Sequence, residues 1–322
     1  MSPQLIFGTA VFGMDLTEFQ DVSSVKSVLS TLQTLGIQRL DSGARYPPLN
    51  PGRSESLIGE ARELSRDFAV DTKVYTDTKT DGSGDLTRDA VRKSAAGSLE
   101  RLQSPEGVNV LHIHRADPAT PLEEQIAAFN EQIELGHCKA WGVSNMPPAT
   151  LEKMLQLCEQ HGWQKPSCYQ GQYNLVTRGM ETKLLPLLRA HGVRFNAFRS
   201  VAVGFLTGKA VNNATAGTRF SADNPLGAAI QHAFGAPDLH AAVKKFDVET
   251  RARGAAPLEV AIRWIVHHSV LGEEDGVILG ASKTSQVVET VELARKGPLS
   301  DDLLKLTDEL WDAVKETRGE II

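Results

Sequence analysis

A single (β/α)8 barrel of the α/β class is the fold this sequence predicts, and three observations carry the prediction. Eight short, β-branched runs alternate with longer amphipathic stretches from one end of the chain to the other. No shift in composition and no Pro/Ser-rich linker interrupts them, so one barrel domain over 1–322 is expected. The rival open sheet would want a G-x-G-x-x-G turn after its first strand, and FGTAVFG (7–13) lacks that spacing. A length of 322 residues suits one barrel, which commonly runs to somewhat over ~250.

LIFGTAV (5–11) heads the strand series. VSSVKSVLSTLQTLG (22–36) follows with apolar residues at helical spacing and a closing glycine. IQRLDS (37–42) and FAVDTKV (68–74) read as the second and third strands, and LTRDAVRKSAAGSLERL (86–102) as a helix. VNVLHIH (108–114), KAWGVSN (139–145) and PSCYQGQY (166–173) continue the strands. Between the first two of these lies PLEEQIAAFNEQIELG (121–136), and PPATLEKMLQLCEQHG (147–162) follows the second; both open at Pro and close at Gly. VRFNAF (193–198) and GVILG (276–280) complete the eight. The segment from 203 to about 238 is rich in Gly, Ala and Asn and follows the seventh strand, where barrel enzymes carry covering loops. A cofactor-covering loop and a merely tolerated insertion are both open there.

Net charge is −6 with acids and bases mixed along the chain, so no basic stripe invites nucleic acid or an anionic membrane. A small-molecule partner is expected, and a homo-oligomer is left open. No window approaches the ~20 apolar residues that span a bilayer, and MSPQLIFGTAVFGMD shows no basic leader. Cys138, Cys158 and Cys168 are odd in number and lack C-x-x-C spacing, which argues against disulfides or a thiolate metal site and for a reducing cytoplasmic setting.

Catalytic groups of a barrel sit at the carboxyl ends of its strands, and here those ends are polar. Asp41 ends the second strand and is followed shortly by Tyr46; Lys73 ends the third and His114 the fourth. Singly each is more often a packed ring or a solvated charge. Together they have a mechanism: a phenol with an ordinary pKa near ~10 is helped to exchange its proton by a neighbouring ammonium. Lys73 can supply that charge, Asp41 can balance it, and His114 can hydrogen-bond the phenol or a substrate carbonyl. A second cluster comprises Ser144, Asn145, Gln170 and Phe198, whose amide, hydroxyl and aromatic groups suit a planar carboxamide on a flat ring. His112 and His114 form an H-x-H, but later strand ends carry no imidazoles to complete a metal site, and no metal is expected. His112 reads as a packed interior residue.

LDSGARY (40–46) with GRSESLIGEA (52–61), Thr72-Lys73, VNVLHIHRAD (108–117), GHCKAWGVSN (136–145), YQGQYN (169–174), GFLTGK (204–209) and GVILGASKTSQVVE (276–289) resemble, in order and spacing, the motifs of the aldo-keto reductase superfamily. YQGQYNLVTR, AGTRF and VILGAS look most like its aflatoxin-aldehyde and succinic-semialdehyde reductase branch. The resemblance implies an NADPH-dependent oxidoreductase that reduces an aldehyde or ketone, with Tyr46 as general acid, Asp41 and Lys73 tuning it, and His114 orienting the substrate. It implies Asp41, Ser144, Asn145 and Gln170 around the nicotinamide carboxamide, with Phe198 stacked on the ring. Arg199, Ser200, Leu206, Gly208 and Lys209 would cover the pyrophosphate, and Arg219, Gly280, Ser282, Lys283 and Gln286 would meet the adenosine end.

The sequence also departs from that pattern. Arg115-Ala116 follows the histidine where many relatives have an aromatic or Met and then Pro, which changes the expected shape and charge of the substrate pocket. Arg199 replaces an Asn or Ser and is expected to grip pyrophosphate or to reject some substrates. Gly280, Ala281 and Gln286 stand where NADPH-specific members carry a Lys-Ser pair and an Arg; Ser282, Lys283 and Arg219 can compensate, which favours NADPH over NADH. Potassium-channel β-subunits share this resemblance, so a cofactor-holding regulatory subunit is the alternative.

Overall fold

In a computed structural model, which describes residues 2–221, 224 and 226–321, eight parallel strands close on themselves in chain order. They are β1 (Gln4–Gly8), β2 (Arg39–Asp41), β3 (Ala69–Lys73), β4 (Val108–Ile113), β5 (Cys138–Ser144), β6 (Cys168–Gln172), β7 (Arg194–Phe198) and β8 (Gly276–Leu279). The closing pair runs Gln4 with Gly276 through Phe7 with Leu279. Each predicted strand is present, and the (β/α)8 barrel is the observed fold.

The first helix shows why the intervening segments coil. In Val22–Leu35 the apolar residues Val25, Val28, Leu29 and Leu32 recur at three- and four-residue steps, so helical coiling brings all four to one buried face. Each such burial is worth roughly 1.5–3 kcal/mol before conformational entropy is subtracted. Asp21 accepts from the Ser24 backbone N–H while the Ser24 hydroxyl accepts from the Asp21 N–H, which satisfies donors that the helix itself cannot. Gly36, at φ 81°, ends the helix in the left-handed conformation.

Helix Arg53–Glu60, the GRSESLIGEA stretch, fastens three strand ends together. Ser54 donates to the Thr9 carbonyl at 2.8 Å and lies 3.2 Å from the Ser42 hydroxyl. Glu55 is fully buried and takes hydrogen bonds from Thr72 and, at 2.8 Å, from Arg101. A Cβ on Gly59 would stand 2.1 Å from the Arg101 carbonyl oxygen, so the close crossing of helix Arg88–Leu102 requires glycine there. This motif therefore holds the scaffold under the site.

The segment after β7 is folded rather than open. Two short 3-10 helices (Ala202–Thr207 and Ala210–Asn212) lead to helices Gly227–Phe234 and Pro237–Ala252. Phe205, Leu206, Phe220, Ile230 and Phe234 supply it with buried apolar side chains. The segment 203–238, where a covering loop or an insertion was expected, therefore carries helices and its own buried side chains, with residues 222, 223 and 225 outside the described residues. The final helix, Asp301–Arg318, sends the Arg318 guanidinium to the carbonyls of Val176 and Ala233. Among the described residues no helix is long and apolar enough to cross a membrane.

Candidate active site

Strand ends β2, β3 and β4 converge at one mouth of the barrel. Lys73 is fully buried, and its ammonium donates to both Asp41 carboxylate oxygens at 2.8 Å and to the Ser42 carbonyl at 2.7 Å. A buried charge is tolerated only when so completely paired. Burial, the largest single cause, would depress the Lys73 pKa, but Asp41 together with Tyr46 and Asp71 holds the group above its ordinary value, hence charged. The same ammonium sits 5.0 Å from the centre of the Tyr46 ring.

Tyr46, half-buried, lies edge-on to the His114 ring, with its hydroxyl 3.4 Å from His114 Nε2. Burial pushes its phenol above the usual pKa; Lys73 pulls it back and Asp41 pushes it up again, and the net direction is upward. The lowering by Lys73 expected from the sequence is present, and the effect of burial is larger than it. A protonated phenol is the form that can donate. His114 is driven down to about 3 by burial and by Lys73, so it is neutral at pH 7, and its Nδ1 is buried without a partner among the described residues.

The two polar clusters read separately in the sequence are physically joined. The Gln170 amide nitrogen donates to Asp41 at 2.7 Å, and its Oε1 makes no hydrogen bond among the described residues. Asn145, in the left-handed region at φ 53°, donates to the His114 carbonyl at 3.0 Å and to the Ser144 hydroxyl at 3.1 Å. Phe198 ends β7 half-buried, and the Arg199 guanidinium lies 5.7 Å from its ring while donating to Gln172 Oε1 at 3.0 Å. Asp41, Tyr46, Lys73, His114, Ser144, Asn145 and Gln170 therefore form one connected constellation, with Phe198 and Arg199 on the neighbouring strand end.

The remaining sequence candidates lie apart from it. Ser200 is buried and donates to the Ile278 carbonyl at 3.5 Å. The Leu206 side chain is fully buried in the core, which leaves only its backbone to meet a ligand. Gly208, at φ 79°, packs so closely on Asp247 that a Cβ would come within 2.6 Å of its carboxylate. Lys209, Gly280, Lys283 and Gln286 are exposed; Gln286 accepts from the Ser282 backbone N–H at 2.8 Å. Arg219 is half-buried and makes no ion pair with another described residue.

Chain folds that match these details belong to a known group. A family profile described as the aldo/keto reductase family matches residues 4–312. The chain belongs to the aldo/keto reductase family. An oxidoreductase of Leptosphaeria maculans, sirO, is 34% identical over 98% of this chain and 95% of its own length. An aflatoxin B1 aldehyde reductase member 2 of Rattus norvegicus is 30% identical over 95% of this chain and 85% of that protein. A putative voltage-gated potassium channel subunit beta of Schizosaccharomyces pombe is 31% identical over 91% and 86%. As an aldo/keto reductase the chain is an oxidoreductase.

Two sets of partners in this aldo/keto reductase escaped the sequence reading, although His112 itself was read as a packed interior residue. His112 uses both ring nitrogens inside the barrel, at 3.2 Å from the Thr72 carbonyl and 3.3 Å from Cys168 Sγ. Gly142 makes room for it, since a Cβ there would meet the imidazole at 2.7 Å. Arg115, expected to change the shape and charge of the substrate pocket, turns its guanidinium to the segment 77–85. Neither partnership leaves a local sequence signal, because the partners are thirty or more residues apart.

Proposed function

We propose that this aldo/keto reductase reduces an aldehyde or ketone to the alcohol with NADPH, Tyr46 acting as general acid. The observation that carries the reading is the continuous network from Gln170 through Asp41 and Lys73 to a protonated Tyr46 beside a neutral His114. The residues fit a nicotinamide nucleotide: Gln170 Oε1 is free for a carboxamide N–H, Asn145 and Ser144 lie beside it, and Phe198 offers a ring face. Arg199, Arg219 and Lys283 make no ion pair among the described residues, as befits cations that await phosphate. The backbone around Ser200, Leu206, Gly208 and Lys209 would cover the diphosphate; Arg219, Gly280, Ser282, Lys283 and Gln286 would meet the adenosine end.

The bound cofactor supplies the hydride that forms the new C–H bond at the carbonyl carbon. Tyr46 delivers its proton to the carbonyl oxygen, so that the alcohol leaves neutral. His114, neutral at pH 7, holds the same oxygen by a ring N–H and takes no proton from it. The Tyr46 phenolate left behind is stabilised by the Lys73 ammonium until solvent restores the proton, and Asp41 keeps that ammonium charged.

Tyr46→Phe is the test. Turnover across an aldehyde panel should fall by about 10³-fold or more, while NADPH affinity measured by fluorescence titration stays within about twofold, because the lost hydroxyl meets the substrate and not the cofactor. Parallel loss of both would overturn the role. Tight NADPH binding by a wild-type chain that turns over no carbonyl would favour the regulatory alternative.

A further inference from the structure

The residues that flank the Tyr46–His114 pair in sequence reach over to one and the same segment. Arg45, just before Tyr46, donates to the Thr78 hydroxyl. Arg115, just after His114, donates to the Thr80 carbonyl at 3.0 Å, to the Asp77 carbonyl at 2.5 Å, and pairs with the Asp85 carboxylate at 3.3 Å. Asp85 also accepts from the Asp77 backbone N–H, which closes the segment 77–85 on itself. Gly82, at φ 96°, lies flat on the guanidinium: a Cβ there would stand 3.0 Å from Arg115 Nε and 2.9 Å from the Ala116 carbonyl oxygen. The segment follows β3, whose last residue is Lys73, and so hangs over the mouth that holds Tyr46 and His114.

We propose that Arg115 is a positioning and specificity-determining residue, which clasps the segment 77–85 against the His114 loop and so fixes the wall on which the carbonyl substrate is seated. The claim rests on the carbonyl-reduction reading above. Three observations lead to it. The two terminal nitrogens of the guanidinium donate to the Asp77 and Thr80 carbonyls, the Thr80 hydroxyl and the Asp85 carboxylate, so its charge is paired within the wall, while its buried Nε has no partner among the described residues. Main-chain acceptors fix the path of the segment whatever its side chains, in a stretch with few apolar anchors of its own. The clasp begins at the residue directly after His114, so any shift of the segment is felt at the imidazole that holds the carbonyl oxygen.

Three variants test it: Arg115→Met, which keeps the apolar stem and deletes the donors; Arg115→Lys, which keeps a cation; and Gly82→Ala, which loosens the same contact from the other side. For Arg115→Met the expected results are amide exchange in 77–85 accelerated by about tenfold or more, KM for the best aldehyde of the panel raised by about tenfold, kcat within about threefold and NADPH affinity within about twofold. Arg115→Lys should recover part of the KM, and Gly82→Ala should move exchange and KM in the direction of Arg115→Met. Unchanged exchange in Arg115→Met would overturn the clasp. Accelerated exchange with an unchanged KM would overturn the seating role, as would a fall in NADPH affinity and kcat together with the rise in KM, which marks general loosening. A wild-type chain that reduces no carbonyl of the panel overturns the reduction reading and the seating role with it, while the exchange measurement still decides the clasp; the two failures are thereby told apart.

Discussion

Lys73→Met removes the one charge on which the constellation is built, and the structure sets the size of the effect. The ammonium makes three hydrogen bonds of 2.7–2.8 Å, two of them to a carboxylate that is only 4% exposed. Its loss leaves Asp41 buried with one remaining side-chain donor, Gln170. Breaking a buried pair in this way typically costs about 3–5 kcal/mol, most of it the stranded charge. Unfolding entropy of about 2.1 cal/mol/K per residue, taken over the whole chain, converts that into a fall in Tm of about 4–7 °C. The double variant Lys73→Met/Asp41→Asn has no stranded charge and should regain most of this stability. It should stay as inactive as Lys73→Met, because nothing then stabilises the Tyr46 phenolate. Differential scanning calorimetry and aldehyde turnover on the same samples read both quantities. Additive destabilisation in the double variant, or a Lys73→Met protein that melts like the parent, would refute the claim that Lys73 and Asp41 form a coupled buried pair.

Three further outcomes follow from the structure. His114 is lowered from 6.5 to about 3 and His112 lies well below 6.5, burial being the first cause for both. Between about pH 6.5 and pH 3 the unfolded chain therefore binds protons that the folded chain refuses, and stability falls as the pH falls through that window. The slope is at most about 1.4 kcal/mol per pH unit for each ring and smaller for the half-buried His114. Urea midpoints at pH 7.5, 6 and 5 should show the decline, and His114→Gln should flatten it; an equally steep decline in that variant would count against a neutral His114. For the cofactor, Gln170→Ala should weaken NADPH and NADH binding alike by about tenfold, since it removes a carboxamide partner common to both. Arg219→Ala should weaken NADPH at least about tenfold more than NADH, and an unchanged ratio in fluorescence titrations would remove Arg219 from the phosphate end.

Much of the site was legible because barrel topology turns sequence position into spatial position. Once β2, β3 and β4 are recognised, Asp41, Lys73 and His114 must share one end of the barrel, and Tyr46 follows within a short loop. The helix Val22–Leu35 was legible for a similar reason, as both its apolar period and its glycine stop are local. The helices after β7 were not: the composition there suggests a loop, yet Phe205, Phe220 and Phe234 meet in tilted and edge-on contacts and pack the segment together. A few large rings outweigh many small residues once they can meet.

From the sequence alone come the eight-strand alternation, the family resemblance and the identity of the proton-carrying side chains at the strand ends, for these rest on local periodicity and on residue type. The tertiary structure decided the states and partnerships of those side chains. Burial shifts the Tyr46 phenol upward against the pull of Lys73, and burial with Lys73 holds His114 down at about 3. Gln170 is tied to Asp41 across 129 residues of chain, and Arg115 gives its charge to the segment 77–85. Hydration and contact between distant residues set a group's pKa and its hydrogen-bond partner, and neither exists until the chain has closed into its barrel.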